Sequence, residues 1–303
     1  MIADVPPPLG NDAATMDPTI PAMGITNAAG VALKAALGDG EVAARLAKIT
    51  GVERDGTIDN MIVAHEWGHY IHLRLVECGS QACAGQSEGW GDFLALHTMI
   101  RDGDDLDGVY AGTTYANFDP AGYFGIRRVP YSVDFTKNSL TFRHVADGQA
   151  LPDTHPIQPS GAGEVWATMM LEAYVALHKA HADDLTFAER RRLMTDYIVA
   201  GMLLTPAAPT HTEQRDAILL AAAARSQEDF ITLAEAFARR GAGSCAVSPP
   251  RDSPDLLGVV EDFQIRPNGA LLGAARADAA QTCDGDGVLD GGELGRLRVD
   301  LHN

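Results

Sequence analysis

Five residues, HEWGH at His65–His69, carry the clearest chemistry in the chain. On a helix, positions i and i+4 share a face. His65 and His69 can therefore offer two imidazole nitrogens to one tetrahedral Zn²⁺ at about 2.0–2.1 Å. Glu66 stands about 100° further round the helix. It is beside such a metal but turned away from good ligation, which is where a general base toward a metal-activated water belongs. A third ligand must come from another segment. Glu88, in SEGWGDF, follows His69 by 19 residues, an interval that a turn and a return helix fill. Asp92 is at i+4 from Glu88 and shares its face, so it can accept the free imidazole N–H of a metal-bound histidine and fix its tautomer. His72 continues the histidine face, but a fourth protein ligand would close the position that catalysis keeps open. It reads as a packed or edge residue.

The elements that must hold these side chains are helices. Asn60 to about Glu77 has helical periodicity, with Asp59 or Asn60 as its cap. Cys78–Gln86 reads as a Gly-rich loop, and Glu88 to about Ile100 as the return helix. Residues 40–49 read as a short amphipathic helix, and residues 1–30 as extended, irregular chain. Residues 109–160 are broken by Pro120, Pro130, Pro152, Pro156 and Pro159 and read as loop with short extended pieces. Gly163–Lys179, Thr186–Leu204, Glu213–Arg225 and Glu228–Arg240 show apolar residues at spacings of three and four, and Gly241 is a C-terminal stop. Trp90 and Trp166 read as core anchors. His97, His178, His181, His211 and His302 have no motif around them and read as surface or edge residues.

Composition narrows the function. Hydrophobic residues at 46% and charged residues at 21% exclude disorder, collagen and coiled coil. A net charge of −18 repels a phosphate backbone, so no nucleic-acid partner is expected. The longest strictly apolar run, Ala217 to Ala224, is far short of the roughly 18 residues a membrane span needs, so no membrane partner is expected either. Four cysteines without a CxxC pair fit two disulfides formed in an oxidising compartment, Cys78 with Cys83 and Cys245 with Cys283. The first residues, MIADVPPPLG, lack the basic start and apolar core of a leader, which suggests a fragment or a processed form.

HEWGHYIH, EGWGDF, GEVWATMMLEAY and FARRGAG, in this order, resemble the successive signatures of the fungalysin family of secreted zinc metallopeptidases, relatives of thermolysin. RRVPYS at Arg127–Ser132 and RDAILLAAA at Arg215–Ala223 are similar to further segments of that family. The resemblance runs from about residue 58 to 250. It implies a mainly α chain: a zincin helical catalytic domain over residues 58–248, preceded by an irregular segment with a short helix over 1–57. It also implies a secreted endopeptidase acting on peptides or proteins, with His65, His69 and Glu88 as zinc ligands and Glu66 as the catalytic carboxylate. Arg127 and Arg128 are then candidates to hydrogen-bond a substrate carbonyl. A monomer is expected.

Two departures shape the expectation. The family places a histidine three residues before the Gly of GEVWA, where its N–H would stabilise an oxyanion. Here Ser160 stands there, and His155, five residues earlier, is the candidate substitute. Only 64 residues precede His65. The family's β-rich half, whose edge strand pairs with substrate, is expected to be missing or much reduced. The zinc site is then complete while the cleft is half built. The alternative is a weak or inactive zincin serving as a peptide-binding or adhesion scaffold.

Beyond Pro249, Pro250 and Pro254, residues 249–303 read as a linker, an Asp/Gly loop and the start of a truncated β module. Asp284, Asp286, Asp290 and Glu293 alternate with glycines in a pattern similar to a Ca²⁺ loop, though not a full EF-hand. Asp102, Asp104, Asp105 and Asp107 read as a solvated loop.

Overall fold

The computed structural model describes residues 27–43, 54–117, 122–123, 125–146, 161–266, 271–272, 276–281, 294–298 and 301–302. The chain divides into two compact units, Met1–Gln264 and Ile265–Asn303. The first unit is helical: α1 (Asn27–Asp39), α2 (Asn60–Leu75), α3 (Gln81–Met99), α4 (Gly161–Ala180), α5 (Phe187–Leu204), α6 (His211–Ala223) and α7 (Gln227–Arg239). No described helix is long and apolar enough to cross a membrane.

The periodic segments become helices within two residues of their expected limits, and their caps show why. Asp59 accepts the Met61 N–H at the head of α2. Thr186 and Thr210 form reciprocal capping boxes with Glu189 and Glu213 at α5 and α6. Each such cap contributes about 1 kcal/mol. Two expectations are corrected. Residues 27–39 form a helix in the N-terminal region read as mostly irregular, whereas 41–43 are not helical and 44–49 lie outside the described residues. The return helix begins at Gln81, because Ser80 accepts the Cys83 N–H and starts it seven residues before Glu88. The glycines of this stretch suggested a loop, but Gly85 and Gly89 are small for packing: a Cβ at either would lie 2.6 Å from α4 atoms.

The core sits around α4, which packs against α3, α5 and α7. Val165, Trp166, Ala167, Met169, Met170, Leu171 and Tyr174 are all buried. Trp90 of α3 and Trp166 of α4 meet edge to face at 5.5 Å and are fully buried, as anchors. Truncating either to Ala should cost about 3–5 kcal/mol.

The described residues between α3 and α4 have little regular structure, so side chains must hold them. Arg240, fully buried, donates from Nη1 to the carbonyls of Asn138 and Leu140 and from Nη2 to that of Ser132. Its Nε pairs with Glu172 at 2.7 Å. Gly241 follows at φ +86°, a conformation that a side chain would strain, and turns the chain out of α7. Arg215 donates to the carbonyls of Ala242 and Gly243 and holds that turn in place. The segment expected as a linker after residue 248 returns to the first unit through bridges Val247↔Val260 and Ala242↔Asp262.

In the second unit, β2 (Arg276–Gln281) pairs antiparallel with β3 (Leu294–Arg298), from Arg276↔Arg298 to Gln281↔Leu294. β1 (Leu271–Leu272) pairs antiparallel with β4 (Leu301–His302). Cys283, Asp284, Asp286, Asp290 and Glu293 lie outside the described residues.

Candidate metal centre

The α2–α3 pair builds the site. His65 meets Asp92, and His69 meets Ser87 and Glu88, so the helices run antiparallel. Glycines let them touch. A Cβ at Gly68 would lie 2.7 Å from the Gly91 Cα, and a Cβ at Gly91 would lie 2.6 Å from the His65 Nδ1. The His65 ring therefore rests on the backbone of α3. A disulfide, Cys78–Cys83, staples the exit of α2 to the first turn of α3. Cys245 is exposed and forms no disulfide among the described residues.

His65, His69 and Glu88 present ligand atoms that all lie within 4.8 Å of one another, the one such cluster among the described residues. His65 Nε2 is 3.5 Å from Glu88 Oε2, and His69 Nε2 is 3.7 Å from Glu88 Oε1. Two ligands on a tetrahedral ion with bonds of 2.0–2.1 Å stand about 3.4 Å apart. The donor set, its spacing and its direction therefore fit Zn²⁺. Both Nδ1 atoms are turned away to other partners, leaving the Nε2 atoms facing Glu88.

Those other partners differ. His65 Nδ1 is 2.8 Å from Asp92 Oδ1. Arg127 forks onto the same carboxylate, Nε to Oδ2 at 2.6 Å and Nη2 to Oδ1 at 2.9 Å, and the Tyr131 hydroxyl donates to Oδ2. Burial opposes ionisation of Asp92. The Arg127 charge and the hydrogen bonds from His65 and Arg127 outweigh it and hold the carboxyl well below the usual range. Burial, then the Asp92 charge, keeps the Tyr131 hydroxyl protonated. At His65 burial disfavours charge, but the hydrogen bonds to Asp92 and Glu88 lift the pKa to about 9. His69 has the neutral Ser87 Oγ on its Nδ1, at 2.8 Å. There burial prevails and lowers the pKa, with His65 adding to the effect.

Glu66 is exposed beside His65 and lines a cavity of about 550 Å³ with Val63, Trp67 and Tyr70. Arg127 and Arg128, read as candidates for substrate, both sit on carboxylates. Arg127 is buried on Asp92, with Nη2 3.7 Å from Glu88. Arg128 donates its backbone N–H and its Nε to the buried Glu164 of α4, each at 2.7 Å. His155 and Ser160 lie outside the described residues. The acidic loop binds its own chain: Asp104 accepts the Arg101 N–H, and Asp107 pairs with Lys179.

Sequence reasoning missed Ser87 and Tyr131. Ser87 directly precedes Glu88 on α3, and its helical offset was a usable signal. Tyr131 arrives from a loop 39 residues after Asp92; it lies within RRVPYS, the segment similar to the family, which gave it no role. It also misread three histidines as surface or edge residues: His97, His178 and His211 are buried.

The fungalysin metallopeptidase (M36) family model matches residues 10–246. Among curated relatives, the extracellular metalloproteinase mep of Aspergillus terreus is 31% identical over 210 residues, covering 64% of this chain and 31% of that protein. Extracellular metalloproteinase 2 of Trichophyton rubrum is 32% identical over 211 residues, 63% of this chain and 31% of its own length. Extracellular metalloproteinase 10 of Coccidioides posadasii is 32% identical over 210 residues, 64% and 32%. The chain spans about a third of the length of these relatives.

Proposed function

Because the chain belongs to the fungalysin metallopeptidases, a mainly α family region here, we propose that it is a zinc-dependent endopeptidase that acts outside the cell on peptides or proteins. The observation that carries the reading is the convergence of His65 Nε2, His69 Nε2 and Glu88 at tetrahedral spacing. These three would hold Zn²⁺, which supplies a Lewis acid that polarises the scissile carbonyl. Glu66 takes the proton of the attacking water and returns it to the leaving amine. Asp92 holds the His65 ring in the tautomer that leaves Nε2 free for the metal. The names of the relatives, extracellular metalloproteinases, support both the reaction class and the location. In this reading residues 58–248 form the catalytic domain. His155 supplies the oxyanion donor in place of Ser160. Asp284, Asp286, Asp290 and Glu293 hold Ca²⁺, which calorimetry of the whole chain would register.

Glu66→Gln tests the reading. Peptide cleavage should fall by about 10²–10⁴ while zinc content stays at one per chain. Chelation of the parent should abolish cleavage, and added zinc should restore it. Full activity in Glu66→Gln, or activity that survives chelation, would overturn it.

A further inference from the structure

The two histidines of the centre are held by different chemistry. Behind His65 stands a carboxylate with its own buttress of Arg127 and Tyr131. Behind His69, among the described residues, stands the hydroxyl of Ser87, buried and 2.8 Å from Nδ1. With Nε2 given to the proposed metal beside Glu88, the proton of His69 sits on Nδ1, and Ser87 Oγ is the acceptor it reaches. We propose that Ser87 is the positioning residue for His69, fixing its Nε2 toward the metal with a neutral acceptor where His65 uses a charged one.

The difference has a consequence for the metal. A carboxylate behind an imidazole raises its basicity and strengthens its bond to the metal. A hydroxyl orients the ring without adding charge. The buttressed Asp92 side therefore anchors the ion, and the His69 side depends on ring orientation alone. Losing the hydroxyl takes from Nδ1–H the acceptor it has in this structure and leaves the ring free to turn about its χ2, a broad, weakly restrained torsion. The inference rests on the proposed zinc reading, and the experiment separates the two.

Zinc affinity of the full chain is measured by competition with a chromophoric chelator for the parent, Ser87→Ala and Ser87→Thr. Co²⁺ substitution provides a ligand-field spectrum for each. Unfolding midpoints of the metal-free forms report the fold. A parent that takes up no zinc sinks the zinc reading before any variant is compared. Given a parent that binds, Ser87→Ala should weaken zinc by about tenfold and shift the Co²⁺ bands, with a metal-free midpoint close to the parent's. Ser87→Thr, which keeps a hydroxyl, should regain most of the affinity. Equal affinity and an unchanged Co²⁺ spectrum in Ser87→Ala would overturn the inference. Should the Ala variant not fold, nitrogen-15 NMR of the zinc-loaded parent decides. A slowly exchanging Nδ1–H on His69 supports the role of Ser87, and metal ligation through Nδ1 refutes it.

Discussion

Histidines serve two regions of this protein in opposite ways. On α2, His65 and His69 are partly exposed, each with a partner on Nδ1 and its Nε2 turned to Glu88. In the helical layers behind, His178 and His211 are buried and have no hydrogen-bond partner among the described residues. His178 packs on Tyr174 at 4.0 Å and Phe187 at 5.1 Å, and His211 lies against Phe142 and Trp166. Burial pushes both down to about 4, so they are neutral, flat packing residues at physiological pH. The same side chain joins a cluster of donor atoms where a carboxylate or hydroxyl partners its Nδ1, and is an aromatic filler where no polar partner among the described residues reaches it.

The largest expected effect separates the two groups outright. Glu88→Gln removes one of three charged or basic donors that face the shared point. Its cost in zinc affinity should exceed the roughly 10–100-fold typical of losing an outer partner. The core histidines should not compensate, and the metal-free protein should unfold at nearly the parent's midpoint. Chelator competition checks this, and undiminished zinc binding would mean that the third ligand lies elsewhere.

A smaller effect comes from Gly91→Ala. The new methyl would lie 2.6 Å from the His65 ring, so the ring or α3 must shift. Overpacking of this kind costs about 1–3 kcal/mol. Zinc affinity should fall along with it, whereas a volume change around His178 or His211 should alter stability alone. Denaturant midpoints together with zinc titration distinguish the outcomes.

The third test concerns pH. Burial lowers the folded-state pKa of His211 to about 4, against about 6.5 in the unfolded chain. Between these values the unfolded state binds more protons. The stability His211 contributes is complete above pH about 6.5 and is lost as pH falls toward 4, by about 3 kcal/mol at most. His211→Phe should flatten that loss, seen as a smaller drop in urea midpoint between pH 7 and pH 4.5. Parallel losses in parent and variant would show that His211 is not a buried neutral group.

The cluster of His65, His69 and Glu88 was legible because its spacing is local. An i, i+4 pair on one helix, and another on the next, need only the 3.6-residue repeat to come into line. The helices α2 and α4 to α7 were legible for the same reason: periodicity, and in α2 and α5 to α7 capping residues, act within one or two turns. Residues 27–39 and 81–87 were misread because Ala and Gly there carry little periodic signal, and in α3 the glycines answer to neighbouring helices rather than to the local backbone.

What the sequence alone determined about this protein is its repeat-encoded content: that the periodic segments α2 and α4 to α7 are helices, which face of α2 carries His65 and His69, and that Glu88 and Asp92 share a face. What only the tertiary structure decided is what stands behind each group. Tyr131 and Arg127 reach Asp92 from a loop that the fully buried Arg240 pins by three carbonyls. Ser87 reaches His69, and His211 becomes core, because two helices bring them there. Contacts of this kind join residues tens of positions apart. Apart from the helical offset of Ser87, no local pattern encodes them, since the burial and charge that define each partner exist only once the helices have packed.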